Sequence, residues 1–158
     1  MALCLLVNGR PSESSASNRA HKPYAARAMN HPTALIATEQ LIALLERAAI
    51  TVSGLEQEAE KLLYQENNKE GYAARLRQKA ILLSGLIDEV EGIGGLPAPV
   101  CALIQERVGS VSYEAERALR VDSVFYMAVL LYPEHHRPGM PNELEELIAL
   151  LDAIRCQA

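Results

Sequence analysis

Residues Ala34–Leu63 read A-L-I-A-T-E-Q-L-I-A-L-L-E-R-A-A-I-T-V-S-G-L-E-Q-E-A-E-K-L-L, and the spacing of their apolar side chains decides the fold class. Leu41, Leu45, Ala48, Val52, Leu55, Ala59 and Leu62 alternate intervals of four and three. That is a heptad seam, the pattern of a long helix packed nearly parallel to its neighbours. Glu39, Glu46, Glu56, Glu58 and Glu60 fall off the seam and read as a solvated face. Thr33 after Pro32 is the expected N-cap. Ile36 stands where the Glu or Gln of a capping box would be needed, so the reciprocal half of that box is missing.

Working outward, the pattern predicts an all-α, elongated antiparallel bundle of four main helices, at about 34–66, 72–91, 99–132 and 142–155. Asn67-Asn68-Lys69-Glu70-Gly71 suits a helix end and a hairpin corner, the alternative being one unbroken helix with a polar waist. Tyr72, Leu76, Lys79, Leu83, Leu86 and Val90 form the second seam, widened by Ala73, Ala80 and Ile87. Gly92–Pro99 stops that helix, and Pro99 fits the first position of the next. The third seam runs Cys101, Ile104, Val108, Val111, Ala115, Ala118, Asp122, Phe125, Val129 and Tyr132. Pro133–Pro141 is a firm break. Asn142 followed by Glu145 reads as a capping box, with acidic residues in the first turn of the last helix and Arg155 in its last.

The 158 residues suit one domain. Aromatics make up 4% of the chain and tryptophan is absent, so the core must come from aliphatic side chains, as in packed helices. Residues 1–28 lack apolar periodicity and carry Arg10, Arg19, Lys22 and Arg27 against Glu13. They read as a disordered leader or non-native extension, with a targeting peptide as the alternative, ahead of a single helical domain at 29–158. The net charge is −5; the first 28 residues contribute +3, which leaves −8 on residues 29–158, 11 basic against 19 acidic. An acidic helical domain repels phosphate, so nucleic acid is not an expected partner. No apolar run approaches the ~18 residues of a membrane span. Cys4, Cys101 and Cys156 are odd in number and far apart, the pattern of reduced thiols in a cytoplasmic protein.

Candidate chemistry is sparse. His135-His136 beside Glu134 is the most metal-like group, yet adjacent histidines diverge and no i, i+4 ligand pair supports them. A polar surface turn is the expected role. Asp122 faces an apolar seam and is expected to pair with Lys79 or with an arginine. Gly92-x-Gly94-Gly95 follows a helix, not a strand, and so lacks the context of a phosphate loop. Nothing is spaced for catalysis, and no enzyme activity, metal or cofactor is expected.

What remains is apolar surface. Val121–Tyr132, V-D-S-V-F-Y-M-A-V-L-L-Y, is hydrophobic around most of a helix circumference. Either the last helix covers it or a groove is left for a partner helix. The candidate partner-binding residues are therefore Val124, Phe125, Met127, Leu130, Leu131 and Tyr132, with Leu144, Leu147 and Leu151 on the last helix.

Leu41-Ile42-Ala43-Leu44-Leu45-Glu46, Leu55–Leu63 and the K-x-x-L-L-x-x-L pattern of Lys79, Leu82, Leu83 and Leu86 resemble the FlgN-like flagellar export chaperones over about residues 34–90. The later helix departs from the family, carrying Arg120-Val121-Asp122-Ser123 where asparagines are common. The resemblance implies a small, acidic, cytoplasmic helical protein, without catalysis or cofactor, that binds the helical end of a hook-associated protein before secretion. The expected function is thus a non-enzymatic export chaperone or adaptor sheltering an amphipathic helical segment of a client. The alternative is a structural bundle that self-associates as a homodimer.

Overall fold

The computed structural model describes residues 32–137 and 139–156, so the expectation for residues 1–28 lies outside the described residues. The described chain is all-α: α1 (Pro32–Tyr64), α2 (Lys69–Glu91), α3 (Ala98–Arg120), α4 (Val124–Val129) and α5 (Glu143–Cys156). The four long helices α1, α2, α3 and α5 pack antiparallel, as their seams predict. At 33 residues α1 is about 50 Å long and spans the bundle. Helix α2 packs between α1 and α3, and α5 closes the far side against α1 and, less extensively, α3.

The buried stripes match the sequence pattern closely. Leu41, Leu45, Ala48, Val52 and Ala59 of α1 are buried against Leu76, Ala80, Leu83, Leu86 and Val90 of α2 and Val100, Ile104, Val108, Val111, Ala115 and Ala118 of α3, in one continuous core. Leu55 and Leu62, near the top of the α1 seam, are only half-buried. Buried hydroxyls find main-chain partners: Thr38 donates to Ala34 O (2.8 Å) and Ser112 of α3 donates across to Leu83 O of α2 (2.8 Å).

The corners follow from local chemistry. Asn67 takes up a left-handed backbone (φ 51°), and Asn68 then caps α2, its Oδ1 accepting the Gly71 N–H at 2.8 Å. A Cβ on Gly71 would lie 2.8 Å from the Asn68 amide nitrogen, so the glycine leaves room for the cap. Helix α2 accordingly begins at Lys69, a turn earlier than the apolar pattern indicates. At the other end Gly95 has φ +85°, and a Cβ there would lie 3.2 Å from Thr33 Cγ2, so the α2–α3 turn abuts the first turn of α1. Thr33 is inside α1, not its cap, and Pro99 follows Ala98 as the second residue of α3.

The third predicted helix, 99–132, divides at residues 121–123. Asp122 is left-handed (φ 51°), with its N–H donating to Leu119 O (3.1 Å) and the Ser123 N–H donating to Ala118 O (3.2 Å). This is a Schellman ending in which aspartate occupies the place glycine usually takes. Ser123 Oγ then accepts the Tyr126 N–H at 3.3 Å and starts α4 in a new direction. The break carries Phe125 and Val129 off the α3 stripe, leaving both exposed. Cys101, at the other end of the expected seam, is also exposed.

Helix α5 begins as expected, one residue past Asn142. Asn142 Oδ1 accepts the Leu144 and Glu145 N–H groups (3.0 and 3.1 Å), while Glu145 accepts the Asn142 N–H at 2.8 Å. Both halves of the capping box are present. Replacing Asn142 with alanine is expected to cost about 1 kcal/mol, read as a lower urea midpoint at unchanged slope.

Candidate functional site

Two places in the bundle combine unusual residues. The first is a buried lysine. Lys79 sits on the α2 seam at 0% exposure. Its ammonium has three donors and meets three acceptors: Glu56 Oε1 of α1 at 2.6 Å, Ala128 O at 3.1 Å and Leu130 O at 2.9 Å. The ring of Tyr132 lies 5.0 Å from the nitrogen, and the Tyr132 hydroxyl donates to Glu56 Oε2 at 2.6 Å. Burial pushes the Lys79 pKa down, while the hydrogen bond and charge of Glu56 push it back up. Burial also raises the Tyr132 phenol strongly, aided by its bond to Glu56 and by the charges of Glu56, Glu145 and Glu60.

A lysine with a depressed pKa can serve as a base or nucleophile. Here the ammonium donates to two main-chain carbonyls, pairs with Glu56 and is buried from solvent. The cluster ties α1, α2 and the end of α4 together. It also settles the expected pairing of Asp122: Lys79 pairs with Glu56, and Asp122, exposed, pairs with Arg77 instead.

The second place is a groove on the outer side of α3. A recess of about 350 Å3 is bounded by Val111 and Ala118 of α3, by Tyr126 and Val129 of α4 and by Leu130. A smaller recess of about 210 Å3 adjoins it between α3 and the start of α5, sharing Ser110, Val111 and Glu143. Together they follow α3 from Arg107 to Val121, about 20 Å along the helix. Exposed Val121 (60%), Phe125 (69%) and Tyr126 (55%) extend the apolar surface at the α4 end. Phe125 and Tyr126 meet edge to face, their ring centroids 5.8 Å apart. Glu114 and Arg117, paired at 3.1 Å, and Glu143 supply a charged rim.

The candidate partner-binding residues divide across this surface. Phe125 is fully presented, and Val124 and Tyr132 are half-buried. Met127, Leu130 and Leu131 turn into the core, as do Leu144, Leu147 and Leu151 of α5. Of these, Leu130 and Leu131 line the groove as well, and Leu144 and Leu147 line the smaller recess. Helix α5 does not lie over α4; it packs on α1 and α3, while α2 and α3 hold the inner side of α4. The apolar run is therefore covered from within and open outside. Val121 and Tyr126 complete the exposed patch, and the exposed ring of Tyr113 on α3 lies 6.0 Å from the Arg117 guanidinium carbon. A serine N-cap signal inside an otherwise apolar run was the one sequence cue to this arrangement.

Among the described residues no group of three or more His, Cys, Asp or Glu is placed to hold a metal. His136 instead contacts Met140 O through Nε2 (3.0 Å) and meets the edge of Tyr132, and His135 is exposed. Among the same residues no helix is long and apolar enough to cross a membrane.

Lys79→Ala is expected to cost about 3–5 kcal/mol, because it strands the Glu56 carboxylate and two carbonyls inside the fold; urea unfolding measures it. Tyr132 gives a pH signature. Its folded pKa lies above the ordinary 10.0, so its contribution is complete below pH 10.0 and fades as pH rises beyond it. The stability difference between wild type and Tyr132→Phe should therefore narrow above pH 10.0, and a constant difference would refute the assignment. No family model matches the chain, and no curated protein or solved structure matches it.

Proposed function

We propose that the chain is a helical binding protein that shelters an amphipathic helical segment of a client, in the manner of a flagellar-type export chaperone or adaptor. The observation that carries this reading is the groove along α3, open between α4 and α5 and continued by Val121, Phe125 and Tyr126. Its length of about 20 Å accommodates three to four helical turns. A client helix lying there would set apolar side chains at i, i+3, i+4 and i+7 against Val111, Ala118 and Val129, the usual economy of helix-in-groove recognition. The rim charges of Glu114, Arg117 and Glu143 would fix its direction and contribute less to affinity than the apolar floor. Lys79, Leu82, Leu83 and Leu86, which carry the resemblance to the FlgN-like chaperones, lie on α2 and serve the core or its edge. The resemblance thus bears on the scaffold, and the groove bears on what the scaffold holds.

A second reading, self-association, draws on the same aromatic patch, since Phe125 and Tyr126 would equally suit a second copy of the chain. The two separate experimentally. Titration calorimetry with a peptide from the helical end of a hook-associated protein should show saturable binding. Phe125→Glu and Tyr126→Glu should each weaken it at least tenfold, about 1.4 kcal/mol or more. Both side chains are exposed, so the melting temperature should hold. Sedimentation that instead finds a dimer dissociated by Phe125→Glu, with no peptide binding, would replace the chaperone reading with the homodimer.

A further inference from the structure

Helix α4 is attached to the bundle differently from the other four. It has six residues, too few to be stable alone, and its segment buries only Met127 and the following Leu130. It lies between two residues in left-handed backbone, Asp122 (φ 51°) before it and Leu131 (φ 75°) after it, a conformation that a Cβ disfavours. Its own hydrogen bonds are local: Met127 N–H to Ser123 O (3.0 Å), Tyr126 N–H to Ser123 Oγ (3.3 Å), and Tyr132 N–H to Val129 O (3.0 Å).

Two cations on α2 tie this segment down from outside. Arg77 pairs with Asp122 at the start, and both side chains are solvent-exposed. Lys79 donates to Ala128 O and Leu130 O at the end, from a fully buried position. Those carbonyls belong to the last turn of α4, where a helix presents unpaired acceptors and the negative end of its dipole. Glu56 and Tyr132 hold the ammonium in place from the other side. The pair at Asp122 is screened by water and contributes little. The buried ammonium is the strong attachment.

We propose that α4 is a latched flap: residues 123–130 open as one unit about Asp122 and Leu131, and the Lys79 ammonium is the latch that holds them closed. Two left-handed residues flanking a short helix are suited to absorb the backbone rotation of a hinge. The consequence falls on the groove, and this part of the proposal rests on the docking function above. Tyr126, Val129 and Leu130 form one groove wall, so moving α4 outward widens the channel along α3 and adds the inner face of Met127 to the surface offered to a client helix. The flap thereby sets how large a helix the groove admits.

Native-state hydrogen exchange on the full chain tests this without any client. Amides of Tyr126, Met127 and Tyr132 should exchange at least roughly tenfold faster than those of Leu83 and Leu86 in α2, through an opening that leaves the bundle folded. In Lys79→Met the ratio between the two sets should grow by a further tenfold or so, while Arg77→Gln should alter it by less than about threefold. A common rate for both sets in the wild type would overturn the flap. Equal acceleration of both sets by Lys79→Met would overturn the latch, making the lysine a support of the whole bundle. Should Lys79→Met fail to fold, Tyr132→Phe loosens the same cluster from the Glu56 side and allows the same comparison. Because the readout is the free protein, loss of peptide binding leaves this result untouched, and failure of the flap leaves the groove available as a rigid site.

Discussion

A single ammonium group sets the geometry on which the joint between α1, α2 and α4 depends. Lys79 stands at a seam position of α2, where every neighbouring seam residue is aliphatic. Burying its charge is tolerable only because the ammonium meets two carbonyls and the Glu56 carboxylate. The acceptors come from two distant parts of the chain: a carboxylate of α1 and two carbonyls at the end of α4. An aliphatic side chain at this position would pack against the same neighbours without fixing their register. The lysine requires Glu56, Ala128 and Leu130 to arrive together, and misplaced arrangements leave a buried charge unpaired. Such a pair adds little net stability relative to a well-packed apolar substitute. Its effect here is to select one arrangement of α1, α2 and α4 among those that an all-aliphatic seam would permit.

This constraint also accounts for the apolar run at 121–132. In a continuous helix its side chains would point all round the circumference, with too few neighbours to cover them. The break at Asp122 redirects the chain so that Met127, Leu130 and Leu131 enter the core while Val121, Phe125 and Tyr126 stay outside. Helix α5, 14 residues long, then fills the fourth position of the bundle only beside the lower part of α1, where Arg155 approaches Glu39 at 3.9 Å. A short helix above and a short helix below replace one long fourth helix. The groove lies beside α3, between the elements that share that fourth position.

Much of this was legible in the chain. The seams of α1 and α2, with Lys79 on the second, the glycine-proline break and the Asn142–Glu145 box were plain in the sequence, because periodicity and capping are local properties. The division of the third helix was not. Its signal, Asp-Ser within an apolar run, competes with six unbroken positions of helical spacing before it, and neither glycine nor proline marks the turn. Leu144, Leu147 and Leu151 form an apolar stripe, the pattern of a partner face. A stripe does not reveal whether its complement is within the same chain, and here α1 and α3 supply it. The partners of Lys79 lie 23 residues before it and about 50 after it, a juxtaposition that only tertiary packing creates.

The close approach of Gly95 to Thr33 carries a topological consequence. It fixes the first turn of α1 beside the α2–α3 turn, so the polypeptide joins the bundle at one pole. The central part of the groove begins at Ser110, about 18 Å further along α3 from Ala98, and extends toward the opposite pole. The first turn of α1 and the groove are thus separated along the long axis of the described bundle. A label attached directly at Pro32 is therefore held near the pole away from Phe125 and Tyr126, with most of the length of α3 between them.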